Sequence, residues 1–114
     1  MKRFALIGLL VVAVLGGCGP SVGQTTARGI SEFQVGRLEE SKQFFQQVLS
    51  RYPSDPRALY YMGRISYTEG SYEMAMFYFQ SSIDADPSFK DSKVWLTRAE
   101  KAVGSSAGDL RFIH

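Results

Sequence analysis

The sequence predicts an all-α chain, a short right-handed solenoid of two helix pairs closed by a C-terminal capping helix. Three observations carry this expectation. The chain repeats itself at a spacing of 34 residues, its apolar side chains recur at helical intervals, and glycine or Asp-Pro steps stand where turns are needed. A shift of 34 brings Gly29 onto Gly63, Phe33 onto Tyr67, Gly36 onto Gly70, Leu38 onto Tyr72, Ser41 onto Ala75 and Phe45 onto Phe79. The same shift brings Val48 onto Ser82, Leu49 onto Ile83 and Pro53 onto Pro87. A fixed period of this length marks stacked supersecondary units.

Five helices are expected. The first covers 25–35 and is followed by Gly36, the counterpart of Gly70. The second, 38–51, opens with Glu39 and Glu40, whose carboxylates suit the positive end of a helix dipole. Before the third, 57–69, stands Asp55-Pro56, a capping side chain and then proline where helices tolerate it. Leu59, Met62 and Tyr67 recur along that helix at helical spacing. Gly70-Ser71 stops it and caps the fourth, 72–85, which Asp86-Pro87 ends because proline cannot continue a helix. Gly63 and Ala75 are small enough for helices three and four to approach closely, with Tyr72 and Phe79 filling the seam. The fifth helix, 89–103, follows Ser88, with Asp91 three residues on as a weak capping box. It carries Val94, Trp95, Leu96, Ala99 and Val103 on a helical period, with Lys93, Arg98 and Lys101 on the wetter side. Lacking a partner, it is expected to cover the last pair, and the glycine- and serine-rich residues 104–114 read as a flexible tail.

A 34-residue helix-turn-helix unit with residues in this order resembles the tetratricopeptide repeat. The second copy, 56–89, has Leu59, Met62-Gly63, Tyr67, Gly70, Tyr72, Ala75, Phe79 and Asp86-Pro87 where that family has its signature. The first copy spans 22–55, with its helical unit at 25–55, matches well from Phe33 onward and has Arg28 where an apolar residue is usual. The resemblance implies a concave groove lined by the first helix of each pair. The residues that would face it are Phe33, Tyr60, Tyr61, Arg64, Tyr67, Trp95 and Arg98. Aromatics and arginine are the types enriched at binding hot spots, although Tyr67 and Trp95 serve equally well as packing between helices. Family members that clamp a peptide's terminal carboxylate use lysine, asparagine and arginine at places held here by Thr26, Ile30, Tyr61, Asp91 and Trp95, so that mode is not implied. A second surface is formed by Met74 and Phe77, three residues apart on helix four, open either to a partner or to Leu110, Phe112 and Ile113 of the tail.

The N-terminus points to an address. Lys2 and Arg3, an apolar run over residues 4–15 and small residues before Cys18 describe a secretory signal rather than a membrane span, which needs about 20 apolar residues. Leu15-Gly16-Gly17-Cys18 resembles a bacterial lipoprotein lipobox. That resemblance implies cleavage after residue 17 and lipidation of Cys18, the only cysteine, with residues 18–24 as anchor and linker. Lys2 and Arg3 account for the whole excess of 13 basic over 11 acidic residues, so the remainder is neutral and carries no basic patch for nucleic acid. The expected place is the cell envelope, on the periplasmic face of the outer membrane if the host has two membranes.

No catalytic, metal or cofactor constellation is visible. His114, the only histidine, is the last residue, where a general base is poorly held. Glu39 and Glu40 are adjacent on a helix and point about 100° apart. The expected function is therefore a non-enzymatic adaptor binding a segment of another envelope protein, as tetratricopeptide lipoproteins do in secretion, pilus or outer-membrane assembly. The alternatives are a structural lipoprotein that self-associates, as a dimer, and a cell-wall glycan binder using the tyrosines and Trp95.

Overall fold

The computed structural model describes residues 19–113, with side chains described as far as residue 105. Cys18, the preceding signal-like segment and His114 lie outside the described residues. So do the side chains of Leu110, Phe112 and Ile113. Among the described residues five helices follow in order: α1 Val22–Gln34, α2 Leu38–Arg51, α3 Pro56–Thr68, α4 Tyr72–Ala85 and α5 Lys90–Ile113. Each packs on the next, as a solenoid of helix pairs requires.

Local chemistry explains the boundaries. α1 starts earlier than residue 25 because Ser21 and Gln24 form a reciprocal capping box. The Gln24 N–H donates to Ser21 Oγ at 3.2 Å, and the Ser21 N–H donates to Gln24 Oε1 at 3.0 Å. At the other end, Gly36 takes φ +84°, its N–H donates to the Phe33 carbonyl, and the Arg37 N–H donates to the Glu32 carbonyl. Gly70, at φ +81°, repeats the arrangement with Tyr67, Ser71 and Ser66. Both are Schellman turns, which close a helix through a left-handed residue that glycine adopts without steric cost. α3 begins as expected, with the Ala58 N–H donating to Asp55 Oδ1 at 2.9 Å and Pro56 in the first turn.

Two expected caps do not form. Ser71 occupies the N-cap of α4 but its hydroxyl makes no capping bond. Its backbone angles, φ −88° and ψ 73°, nearly match the −85° and 75° of Arg37 before α2, so the preceding turn and not the side chain sets this entry. Ser88 donates its hydroxyl to Asp86 Oδ1 at 2.6 Å instead of capping α5 with Asp91. The Ser88 N–H donates to the same oxygen, and these two bonds hold the Asp86 carboxyl below the usual aspartate range. The reading of 104–114 as a flexible tail is also corrected, because α5 runs through Gly104 to Ile113. An interior glycine costs a helix about 1 kcal/mol relative to alanine, and no proline follows to end it.

The core forms two clusters. One holds Phe45, Val48, Ala58, Met62 and Ile65, and the other holds Tyr60, Ala75, Phe79 and Ala99. Close approach within each pair rests on glycine against phenylalanine, Gly29 on Phe45 and Gly63 on Phe79. Buried hydroxyls stitch the helices. Ser41 donates to the Gly29 carbonyl at 2.7 Å, and Ser82 donates to the Pro56 carbonyl at 2.8 Å while lying 2.7 Å from Ser92 Oγ. Lys42 of α2 meets Glu69 at the end of α3 at 3.0 Å. Helices α1, α3 and α5 also touch one another in succession, which gives the molecule one face made from the first helix of each unit. Among the described residues, no helix is long and apolar enough to cross a membrane.

Candidate docking groove

The face built by α1, α3 and α5 carries a connected aromatic surface. Tyr61, on α3, stacks on Phe45 with ring centroids 5.1 Å apart and planes within 3°. It meets Phe33 of α1 edge-on at 5.5 Å and its neighbour Tyr60 at 5.0 Å. Tyr67, two turns further along α3, stands edge-on to Trp95 of α5 at 5.2 Å and to Tyr72 at 5.1 Å. Such edge-to-face pairs add about 0.5–1.5 kcal/mol beyond the area they bury.

Arg64 lies at the centre. Its guanidinium carbon is 3.9 Å from the Trp95 ring centroid, 5.1 Å from that of Phe33 and 5.7 Å from that of Tyr60. One of its N–H groups donates to the Tyr60 hydroxyl at 2.8 Å. Arg98, one turn beyond Trp95 on α5, sits 4.6 Å from the same indole. Helical spacing explains the convergence, because 60 and 64 share one face of α3 while 95 and 98 share one face of α5.

All seven residues expected in the groove therefore belong to one connected surface, but they are not equally available. Phe33, Tyr61, Arg64, Tyr67 and Trp95 are half-buried and Arg98 is exposed. Tyr60 is only 6 % exposed and packs against Phe79 and Phe89, so its ring is core and its hydroxyl alone serves the groove. Burial pushes the Tyr61 phenol above the usual tyrosine range, helped by the neighbouring Tyr60.

At the N-terminal ends of the same helices the face deepens into a cleft of about 450 Å³ lined by Val22, Thr26, Ile30, Arg57 and Phe89. Val22, Arg57 and Phe89 were not expected there. The Ser21-to-Gln24 spacing is the signal that would have placed Val22 on α1. On the opposite side of the pair, Met74 and Phe77 of α4 are 50 % and 61 % exposed. Phe77 meets Tyr78 edge-on at 5.6 Å.

The groove offers flat aromatic faces, guanidinium edges and a cleft whose apolar lining is joined by Asp55, Arg57 and Asp86, a chemistry suited to holding a peptide. Among the described residues, no group of three histidine, cysteine, aspartate or glutamate side chains could hold a metal ion. Glu39, half of the acidic pair, lies 3.4 Å from Lys42 as an ordinary surface ion pair.

Comparison with known proteins agrees with this architecture. A probable biofilm formation methyltransferase, WspC, of Pseudomonas putida is 29 % identical over 77 residues. The match covers 68 % of this chain but only 18 % of that protein. The sequence model of the tetratricopeptide repeat matches residues 28–55 and 56–89, the two helix pairs, and a fold of this kind is a non-catalytic interaction module. Matched over more than half its length, and with the helix pairs, turn glycines and small-residue contacts that such repeats require, the chain belongs to the tetratricopeptide repeat family.

Proposed function

We propose that this protein is a lipid-anchored adaptor of the bacterial cell envelope, whose groove binds a segment of another envelope protein. The observation that carries the docking role is the aromatic surface running from Phe33 through Tyr61 to Trp95 around Arg64. Rigid aromatics and arginine supply contact area with little entropy lost on binding. The Lys2-Arg3, apolar and Leu15-Gly16-Gly17-Cys18 sequence supports the anchor. Since α1 is capped at Ser21, only Gly19 and Pro20 separate Cys18 from the folded unit. An extended chain covers about 10 Å over that interval. Such a tether holds the groove next to the bilayer, fitting partners in secretion, pilus or outer-membrane assembly. Gly19 after Cys18 resembles the pattern sent to the outer membrane, on its periplasmic face, in a host with two membranes. The Pseudomonas relative contributes no proposal of methyl transfer, given the 18 % of that protein that is matched.

The test is recovery of partners from native membranes with the intact protein and with Arg64→Ala/Arg98→Ala. The groove variant should lose the partner, and equal recovery would refute groove docking. Cys18→Ser should move the protein from the membrane to the soluble fraction with its helical circular dichroism unchanged. A second reading, self-association through Met74 and Phe77, is favoured by their exposure. Sedimentation of the protein with and without Phe77→Ser distinguishes it, because a strict monomer at high concentration would remove it.

A further inference from the structure

Two arginines and one tryptophan meet in the groove without an acid to answer them. Among the described residues, ion pairs join Arg37 to Glu32 and Lys42 to Glu39 and Glu69, and none includes Arg64 or Arg98. A guanidinium carries five N–H donors in a planar fork, and Arg64 directs one of them to Tyr60. The rings of Trp95 and Phe33 hold its flat face, which leaves the edge donors unused. Arg98 presents a second fork at the same indole, and the half-burial of Arg64 lowers the local dielectric. Toward the N-terminal ends of the same helices stand Arg57 of α3 and Asp91 of α5, with Asp55 and Asp86 lining the cleft beside Arg57, while Glu32 of α1 is engaged with Arg37. The cationic character is therefore local to Arg64 and Arg98, because Arg57 is offset by Asp55, Asp86 and Asp91 at the other end of the face.

We infer that Arg64 and Arg98 form an anion seat that takes a glutamate or aspartate side chain from an extended segment of the partner, with an apolar or aromatic residue of that segment lying against Tyr67 and Trp95. This rests on the groove reading above and narrows it to a class of sequence. A planar carboxylate matches the edge of a guanidinium in two parallel hydrogen bonds, and an aromatic wall on one side favours a peptide over a free anion. The acid comes from within the segment, because the positions that clamp a chain terminus in this family hold Thr26, Ile30, Tyr61, Asp91 and Trp95 here.

The experiment is selection of random twelve-residue peptides, displayed with their C-termini fused, on the full chain. Selected peptides should be rich in glutamate or aspartate beside an aromatic or aliphatic residue. The strongest is then synthesised with blocked ends in acid and amide forms and titrated by the fluorescence of Trp95, the only tryptophan. The acid form should bind about tenfold to a hundredfold more tightly, the effect of one charge-assisted hydrogen-bonded pair. Arg98→Ala should abolish that preference without altering the circular dichroism, since the side chain is exposed. Arg64→Lys should reduce it by keeping the charge and losing the fork. Selection of peptides without acids, or equal binding of the acid and amide forms, would overturn the anion seat while leaving the groove intact. Failure to select any peptide would overturn both.

Discussion

Gly63 and Phe79 are in contact so close that a Cβ on the glycine would lie 2.6 Å from the phenylalanine ring. One repeat earlier, Gly29 and Phe45 do the same at 2.8 Å. Both rings are fully buried and fill the seam between the helices of their pair.

Gly63→Ala is therefore expected to destabilise the protein despite alanine's better helix propensity. Phe79 is hemmed in by Tyr60 and Trp95 and cannot swing aside freely. Overpacking costs about 1–3 kcal/mol, and the propensity gain returns about 1 kcal/mol. A net loss of about 1 kcal/mol should appear in urea unfolding, and Gly29→Ala should behave alike. An unchanged midpoint for both would contradict the close contact.

Gly70→Ala tests the Schellman turns. A left-handed conformation costs a residue with a side chain about 1–2 kcal/mol. Thermal unfolding should show a loss of that size for Gly70→Ala and for Gly36→Ala, although neither position has anything within reach of an added Cβ. Strain is thus separated from packing in the same molecule.

The expectations for helices two to four agree with the structure to within a residue, because their signals are local: Asp55-Pro56, the two turn glycines, and the period of the apolar residues. The two ends of the domain were harder to read. The start of α1 depends on the reciprocal bonds of Ser21 and Gln24, and the positions it buries are Thr25, Thr26 and Gly29 in place of large apolar residues. The end of α5 passes Gly104 and Gly108, which weaken a helix without terminating it. In the groove, the convergence of Arg64 with Phe33 and Trp95 follows from helical spacing once the repeat is seen. The burial of Tyr60 does not, since it depends on Phe79 and Phe89 arriving from other helices. Adjacent tyrosines 60 and 61 look equivalent in sequence and differ only in tertiary surroundings.

Ser82 orders a chain of hydroxyls. It donates to the Pro56 carbonyl, so Ser92 must donate to it, and both serines are fully buried. Ser82→Ala leaves the Ser92 hydroxyl without that acceptor and should cost about 1–3 kcal/mol. Adding Ser92→Ala should cost less than the sum of the single changes, because the stranded hydroxyl is then removed. Strict additivity in denaturant titrations would refute the coupling.

Alkaline pH should weaken the fold from two sites. The Glu69 carboxylate, hydrogen-bonded to the Lys42 ammonium, holds its pKa above the ordinary lysine value of 10.5. The stability this supplies is complete below the unfolded lysine pKa and is lost as pH rises through the folded one. Tyr61 is also raised, from 10.0, by burial, so unfolded chains release its proton first and stability again falls above about pH 10. Unfolding midpoints should hold level between about pH 7 and 9 and drop beyond pH 10. Glu69→Gln should cost about 0.5 kcal/mol near neutrality and remove part of the drop. Tyr61→Phe should remove another part, and a drop of full size in the double variant would place its cause elsewhere.

The division of the core between two clusters has a consequence for how the molecule comes apart. Helix α3 supplies Ala58, Met62 and Ile65 to one cluster and Tyr60 to the other, while Tyr61 packs against both. In long repeat arrays neighbouring units can melt one after another. Here the two units share a wall, so losing either exposes the apolar surface on which the other depends. A chain repetitive in sequence should therefore unfold cooperatively, and a single transition is expected from Trp95 fluorescence and from helical circular dichroism alike.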